Sequence, residues 1–413
     1  MTESITSSRV SAPLRGHSAL SRVIAVSADD FASRYWGREP LVSRADDLPG
    51  AIGELFSVAA VDELVSRRGL RAPFLRVAKN GTTYGDRDFT EGGGVGATVA
   101  DQVSDDKLLR LFAGGATLVL QGLHRTWPAL IGFSQQLAED LGHPVQANAY
   151  VTPAQNTGFS DHYDVHDVFV IQVSGEKTWR VRPPVHSAPL RDEPWSGRRV
   201  AVEQAARQPP LLEFTLSPGD CLYLPRGFLH SATALGGVST HLTLGVHVWT
   251  RRHLADELLA LAVAKASRDQ SLRTSLPALV DASDATVVGD DVEIARAALM
   301  RALADLEVAD VAQAIGAKVR RSQRAAPLSP VTQTLDAAEL GEHDGIRLRE
   351  HLAATLVPTA EGAVVRSRVA DFRVTTDELA AISQLLSRGV ATVSDLGLEL
   401  ARRLLLAGLA VHG

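Results

Sequence analysis

His162-Tyr163-Asp164-Val165-His166-Asp167-Val168-Phe169-Val170-Ile171-Gln172-Val173-Ser174-Gly175-Glu176-Lys177-Thr178-Trp179-Arg180-Val181 is the stretch that decides how this chain reads. Two short apolar runs, 167–173 and 178–182, follow a His-x-Asp pair. In a strand, residues two apart share a face, so His162 and Asp164 can reach one ion. His-x-Asp alone recurs by chance in many proteins, and a lone His is more often structural than a ligand. The second half lies in Gly219-Asp220-Cys221-Leu222-Tyr223-Leu224-Pro225-Arg226-Gly227-Phe228-Leu229-His230. Here a Gly-Asp turn opens a strand, Pro225 and Gly227 end it in a tight bend, and His230 follows on a rigid support. Two His and one carboxylate form a facial triad, which grips an octahedral metal by one face and leaves the opposite positions open. That is the pattern of Fe(II) and oxygen chemistry.

Working outward, similar short runs recur at 117–121, 145–152, 212–216, 221–224 and 238–249, punctuated by Gly and Pro. Short strands at this spacing predict an all-β barrel or jelly roll with a metal site in its mouth. On the N-terminal side, Phe31 to Val42 reads as a short helix ended by Pro40 and followed by a strand. Residues 51–68 and 128–141 have helical apolar spacing, and Gly92 to Gly96 is too glycine-rich for a regular element. Past 251 the period is helical again, with stripes at Leu254, Leu258, Leu259 and Leu261, then at Ile294, Ala298, Leu299, Ala302, Leu303 and Leu306. Such stripes pack helices within a subunit or join two subunits, and a homodimer is expected.

Lys318 to Pro327 reads as a basic linker with a solvated face. Beyond it come a helix from Asp377 to Leu386, a break at Gly389, a second helix starting at Thr392-Val393-Ser394-Asp395, and Gly408 as its stop, a winged-helix-like order. Residues 331–413 carry eight Arg or Lys against eleven Asp or Glu. DNA binding needs cationic contacts to phosphate, so this module is expected to contact protein or brace the fold instead.

The whole chain has 413 residues and a formal net charge of −6. That length predicts two or three domains: a loose arm over 1–27, the barrel over 28–250, a helical region over 251–326 and the winged-helix-like module over 327–413. The charge argues against a dedicated nucleic-acid or anionic-membrane binder and makes a basic protein target electrostatically reasonable. Cys221 is the single cysteine, which excludes an intramolecular disulfide and a cysteine zinc site. It reads as an inert small hydrophobe in a strand. With no apolar stretch of signal-peptide length at Thr2 to Ser8 and no long apolar run elsewhere, a cytoplasmic protein without membrane attachment is expected.

Asn148-Ala149-Tyr150-Val151-Thr152-Pro153, followed by the opening stretch, resembles the ribosomal-oxygenase (cupin-4) branch of the JmjC-domain 2-oxoglutarate oxygenases. Gln172-x-x-Gly175-x-Lys177-x-Trp179 and the Phe31 to Leu41 entry segment both fit. The resemblance covers 28–250 well and the rest loosely. It implies an α+β protein: a double-stranded β-helix (jelly-roll JmjC/cupin barrel) with flanking helices, a helical dimerisation region and a C-terminal winged-helix-like domain. It further implies that His162, Asp164 and His230 bind Fe(II), that 2-oxoglutarate chelates the metal, and that O2 takes the last position. Lys177 would pair with the distal carboxylate of 2-oxoglutarate, for which a lysine point charge is suited. Asn148 and Tyr150 would lie beside the co-substrate.

Relatives carry a small hydroxyl residue near Gly245. Here that position is glycine, so the second anchor falls to Gly245 itself or is displaced to Thr243, with His241 on the same face. Tyr150 can equally be a core residue with a satisfied hydroxyl, and His241 a buried, hydrogen-bonded His. His166 shares the ligand face if the strand is regular. We prefer His230, because a His-x-Asp-x-His trio would have to bend around one ion within a single strand. His166 and Asp167 then face the mouth or the barrel wall, and Phe169, Trp179 and Trp249 are core. The implied activity converts 2-oxoglutarate to succinate and CO2 while hydroxylating a protein side chain, Arg or His of a ribosomal protein, with none of the three ligands acting as acid or base. Three alternatives stand open: a hydroxylase of a small molecule or peptide, a non-catalytic metal-binding sensor or scaffold, and a cupin enzyme without a co-substrate.

Overall fold

The computed structural model describes residues 18–413 except 51, 80, 155 and 157–159. Of the arm expected over 1–27, residues 1–17 lie outside those described, and the remainder is not loose. Ala19, Leu20, Val23 and Ile24 are buried in the main core around a 3-10 turn, Leu20–Arg22. The Leu20 N–H donates to Asp140 at 2.9 Å and the Ala25 N–H to the Ser43 hydroxyl at 2.9 Å. A segment this short shows no period, yet these two long-range bonds pin it.

Helix α1 (Ala28–Asp30) starts on the Ser27 hydroxyl, which accepts from the Asp30 N–H, and runs on as a wider π-type turn over Phe31–Tyr35. Next in order are β1 (Leu41–Ser43), α2 (Val58–Arg67), β2 (Leu75–Lys79), β3 (Thr82–Thr83), β4 (Thr90–Glu91), β5 (Gln102–Val103), α3 (Asp105–Ala113), β6 (Thr117–Leu120), α4 (Leu123–Thr126) and α5 (Pro128–Leu141). The barrel continues with β7 (Val145–Thr152), β8 (Asp167–Arg182), α6 (Arg199–Ala206), β9 (Leu212–Leu216), β10 (Cys221–Leu224) and β11 (Leu229–Val246). Among the described residues, nine of these strands form one sheet in the order β1-β10-β8-β11-β7-β6-β2-β3, with β9 on β8. Every pairing in it is antiparallel.

The runs 167–173 and 178–182 are one strand, β8, bent in the middle, and β11 begins at Leu229 rather than 238. Gly175, which reads as a strand end, is the bend: its φ is +62°, and a Cβ there would collide with the Val238 carbonyl. Asp167 to Ser174 pair with the Thr240–Val246 half of β11, Glu176 to Arg182 with the Leu229–Leu235 half, and the register breaks between Leu235 and Thr240. The Gln172 amide stitches this fold-over, reaching the Ser174 and Gly175 carbonyls (both 2.9 Å) and the Ser239 hydroxyl (2.8 Å). The result is a jelly roll with two unlike faces. Outward, Phe169, Ile171, Leu242, Leu244, Ala147 and Ala149 join the main core with Phe31 and with Leu130, Phe133 and Leu137 of α5. Inward, Val168, Val170, Trp179, Val181, Leu222 and Leu224 form a second core between the folded halves.

Trp249–Gln323 is a compact unit of its own, built on α7 (Arg251–Ala266), α8 (Ala285–Ala304) and α9 (Val308–Ser322). Its main apolar cluster is built on the buried Ala262, Ala266 and Ala302, small enough to let helices approach closely. The stripe residues Leu254, Leu259 and Ile294 instead stand 42%, 57% and 47% exposed. The expected basic linker is helical through Ser322, and Lys318 is ion-paired with the buried Glu257.

Arg324–Gly413 belongs to the same compact unit as the barrel. It comprises α10 (Pro330–Glu339), β12 (Gly345–Leu348), a meander of β13 (Thr355–Thr359), β14 (Gly362–Arg366) and β15 (Asp371–Val374), then α11 (Leu379–Arg388), β16 (Val390–Thr392), α12 (Val393–Leu396), α13 (Leu398–Leu406) and β17 (Ala410–His412). The helix expected from Thr392 to Gly408 is therefore two, parted at Gly397, whose φ of +82° is outside the helical region. Helix α5 holds this part to the barrel. The Gln135 amide donates to the Arg324 and Ala325 carbonyls (both 2.9 Å), and Glu139 pairs with His351 at 2.9 Å and Arg368 at 3.5 Å. Among the described residues no helix is long and apolar enough to cross a membrane.

Candidate metal centre

His162 and Asp164 lie on the approach to β8, not on a regular strand as their spacing suggests. His162 instead pairs with His230 in an isolated bridge, each N–H donating to the other's carbonyl at 3.2 and 2.9 Å. The Gly227 N–H adds a bond to the Asp164 carbonyl at 3.0 Å. A backbone ladder thus brings the two halves of the motif together, and the ligand atoms of His162, Asp164 and His230 all lie within 4.8 Å of one another. His230 Nε2 is 3.8 Å from Asp164 Oδ2, and the two imidazole centroids are 4.4 Å apart. Each ring sets Nδ1 against a backbone carbonyl, His162 on Ser160 at 2.8 Å and His230 on Phe228 at 3.2 Å. A carbonyl only accepts, so each Nδ1 carries the proton and each Nε2 keeps a lone pair for a metal.

Burial, reinforced by the neighbouring His162, lowers His230 to about 4, which leaves it neutral at physiological pH. Burial opposes ionisation of Asp164, but the surrounding His166, His162, His230 and Arg76 outweigh it and hold the carboxyl below its usual range. Neutral imidazoles and a carboxylate are the donor set for a divalent first-row metal. His166 is not part of the cluster; its ring meets His247 edge-on at 5.5 Å.

Two polar brackets hold the ligand segments. Buried Arg182 donates to Asp161 at 2.6 Å and, through Nε, to the Gln208 carbonyl at 2.9 Å, while the Ser231 hydroxyl donates to the same Asp161 oxygen at 3.2 Å. Asp161 and Ser231 each adjoin a ligand, so this bracket clamps His162 and His230 from behind. The second is Asp167, fully buried, which accepts from the Tyr223 hydroxyl (2.5 Å) and from the Arg226 N–H and guanidinium (3.2 and 3.3 Å). Asp167 is therefore a wall residue, and it fixes the bend that precedes His230.

Behind the triad the fold-over gathers polar side chains on its inner face. Gln146, Asn148, Tyr150 and Thr152 alternate on the inner face of β7, opposite Gly245, Thr243, His241 and Ser239 of β11. Lys177 reaches in from the second half of β8 and is only 4% exposed. Its ammonium donates to the Thr152 hydroxyl at 3.2 Å, which in turn meets the Thr117 hydroxyl at 3.2 Å. Burial alone lowers its pKa to about 7. Tyr150 stacks on His241 at 5.0 Å, nearly parallel, and Trp179 bridges the halves, 5.5 Å from His241 and 6.0 Å from His230. Burial and the nearby Asp164 push the Tyr150 hydroxyl up to about 12, so it stays protonated.

Asn148 is less available than its position suggests, because its Oδ1 accepts the Gly122 N–H at 3.1 Å. At Gly245 a Cβ would stand 3.0 Å from the Gln146 amide and 3.2 Å from the His166 ring, so those two side chains fill the place of a hydroxyl residue. Thr117, Thr152, Asp161, Arg182 and Arg76 were not singled out from sequence. Thr152 merely extends the Asn148/Tyr150 alternation by one step and could have been found; Asp161 adjoins His162, while Thr117, Arg182 and Arg76 come from β6, the far end of β8 and β2. The buried His241 Nδ1 and Trp179 Nε1 have no hydrogen-bond partner. Each such group left alone costs ~1–3 kcal/mol, and with the Lys177 ammonium, whose bond is to a neutral hydroxyl, they fit a polar, anionic guest.

Residues 131–254 match the model of the JmjC domain, the span that supplies β7 to β11 and all three residues of the cluster. The chain is 32% identical over 261 residues to ribosomal oxygenase 1 of Gallus gallus, covering 62% of this chain and 41% of that protein. Over 266 residues it is 30% identical to ribosomal oxygenase 2 of Rattus norvegicus (61% and 52%), and over 224 residues 30% identical to the bifunctional lysine-specific demethylase and histidyl-hydroxylase NO66 of Aedes aegypti (53% and 33%). The chain thus spans about half or less of the length of these relatives. Among solved structures, that of Escherichia coli YcfD superposes with a TM-score of 0.55 at 15% identity, over 94% of this chain and 98% of that one. YcfD in complex with cobalt and 2-oxoglutarate gives 0.52 at 15% identity, over 94% and 99%. The barrel is a JmjC domain of the cupin type. Within that class, the chain is similar to the ribosomal oxygenases.

Proposed function

We propose that this chain is an Fe(II)- and 2-oxoglutarate-dependent oxygenase that hydroxylates a protein side chain, Arg or His, of a ribosomal protein. The observation that carries the reading is Lys177, an ammonium buried beside a two-His, one-carboxylate cluster with a threonine hydroxyl as its partner. A lysine is left buried and without a carboxylate only where a guest anion completes it. His162, Asp164 and His230 hold the metal, which together with 2-oxoglutarate and O2 supplies the oxidising chemistry. Lys177, oriented by Thr152, takes the distal carboxylate of 2-oxoglutarate. Tyr150 donates its hydroxyl alongside, Asn148 and Thr243 line the same face, and His241 offers a neutral ring. Trp179 closes the space between the halves and keeps water out. None of these groups has to shuttle a proton.

The relatives' names support a ribosomal-protein target, and the YcfD complexes with cobalt and 2-oxoglutarate or succinic acid support the co-substrate. We assign a cytoplasmic location, a homodimer formed through the exposed leucines of the Trp249–Gln323 unit, and a winged-helix-like role in protein contact for 327–413. The decisive measurement is succinate release from 2-oxoglutarate with Fe(II), alongside mass spectrometry of ribosomal proteins from cells with and without this gene. Loss of one oxygen atom's mass from a ribosomal protein is expected without the gene. No succinate above the His162→Ala background, and no mass change, would remove the proposal.

A further inference from the structure

The three residues of the cluster are not equally enclosed. His230 is buried, whereas His162 and Asp164 are half-buried, so the cluster opens on the side of His162. An aromatic side chain from outside the barrel strands stands on that side. The Trp195 ring lies 6.4 Å from the His162 ring, tilted by 55°. Trp195 begins a 3-10 turn, Trp195–Arg198, that runs directly into α6. The turn is tied to the ligand segments: Val202 of α6 is buried with Tyr163 and Leu229, the chain neighbours of His162 and His230. The Tyr163 hydroxyl donates to the Glu193 carbonyl at 2.9 Å, and the Glu193 carboxylate is taken up by His186 and the Leu190 N–H, both at 2.9 Å.

Trp195 is itself only half-buried, and its ring already carries a planar cation. The Arg199 guanidinium carbon stands 5.2 Å from the indole centroid. Arg199 is exposed, and among the described residues its side chain makes no ion pair and no hydrogen bond, so the indole is what it rests on. The negative face of an indole attracts a guanidinium, weakly in water and more strongly where water is excluded. A cation that enters toward His162 meets the same ring with less water around it than Arg199 has at the surface.

We infer that Trp195 is a substrate-contact residue at the mouth of the metal centre, which takes a planar cationic side chain of the substrate, and that Arg199 is a placeholder displaced when it arrives. The inference deepens the proposed function and rests on it. Both target types named there, Arg and His, are planar and can carry a positive charge, and the ring beside His162 discriminates for that combination. Arg199 stays tethered four residues away, so the displaced guanidinium swings into solvent without unfolding the turn.

The test uses the full chain loaded with Co(II) and fluorescence anisotropy of two labelled peptides, flanked by glycine and serine and identical except at the centre. One carries arginine there and the other citrulline, which keeps the length and planarity without the charge. The arginine peptide is expected to bind ~10-fold more tightly, the worth of a partly desolvated cation–π contact. Trp195→Leu should abolish that preference and Trp195→Phe retain part of it, while both variants bind Co(II) like the unaltered protein. Arg199→Ala, which vacates the ring, should tighten the arginine peptide ~3-fold and leave the citrulline peptide unchanged. Equal binding of the two peptides, a preference that survives Trp195→Leu, or an Arg199→Ala variant no tighter than the parent would each overturn the inference. So would Co(II) affinity lost together with the indole, which would make Trp195 a prop for His162 instead. Binding is read without turnover, so failure of the oxygenase proposal would appear separately, as absent succinate release.

Discussion

Lys177 is where the proposed function and stability pull against each other most directly. Burial desolvates its charge, and its pKa falls from that of a free lysine to about 7. Where the folded pKa lies below the unfolded one, the penalty is fully present below pH 7 and is relieved as pH rises toward the unfolded value. Lys177→Met is therefore expected to raise the melting temperature of the ligand-free protein, more at pH 6 than at pH 9, in paired thermal melts. The same substitution should weaken 2-oxoglutarate binding by ~10- to 100-fold, the worth of one charge-assisted hydrogen-bonded contact.

A bound carboxylate raises the lysine's pKa again, so binding takes up a proton. Affinity should fall as pH climbs above about 7, measured by calorimetry on Co(II)-loaded protein; a flat profile would exclude Lys177 as the anchor. The His162, Asp164 and His230 cluster was legible in sequence because these residue types and the Gly, Pro and Asp residues around them are chemically unusual together. The tilt of Asn148 toward Gly122 was not, because nothing in a strand's alternation reports which backbone amide a side chain will meet.

At the scale of elements, the bend in β8 and the bracket behind the ligands decide the site. Gly175→Ala forces a methyl into the Val238 carbonyl at a positive φ, so a loss of ~2–4 kcal/mol is expected in urea unfolding, combining backbone strain with overpacking. Arg182→Ala removes the cation that holds Asp161 and leaves that carboxylate uncompensated next to His162. Co(II) affinity should drop ~10- to 100-fold, as for other outer-layer partners of metal ligands, with the far-ultraviolet circular dichroism unchanged. Arg182→Lys should recover part of it.

Sequence reading divided β8 into two strands because Gly interrupts an apolar run in the same way whether the chain ends there or folds over. What distinguishes the two is the carbonyl of Val238, sixty-odd positions on. The α8 stripe holds, with Ala298 and Ala302 buried and Leu299, Leu303 and Leu306 packed beside them, whereas in α7 it is Ala262 and Ala266 that bury and Leu254 and Leu259 that stay exposed, because small residues let helices approach closely and periodicity counts both as apolar.

Across the whole molecule, the helical unit leaves Leu254, Leu259 and Val263 of α7 exposed, which is the basis for assigning a dimer. Sedimentation velocity should find a dimer that Leu259→Glu with Val263→Glu converts to a monomer; an unaltered monomer in both samples would remove the assignment. Long-range organisation was the least legible level. That Arg324 to Gly413 joins the barrel through Gln135 and Glu139 of α5 depends on two side chains whose partners are nearly two hundred residues away or more.

The His162–His230 bridge has a bearing on lifetime as well as on ligation. The segment between those residues carries β8 to β10 and the excursion through α6, and its two ends meet in a pair of backbone bonds backed by the Asp161 bracket. A metal shared by the two rings would rivet the mouth of that excursion shut. Loading at ~100 times Kd adds ~2.7 kcal/mol to the folded state. Chelation should then expose residues 183–211 to limited trypsin digestion, and the protein's survival in a cell would follow the supply of its metal.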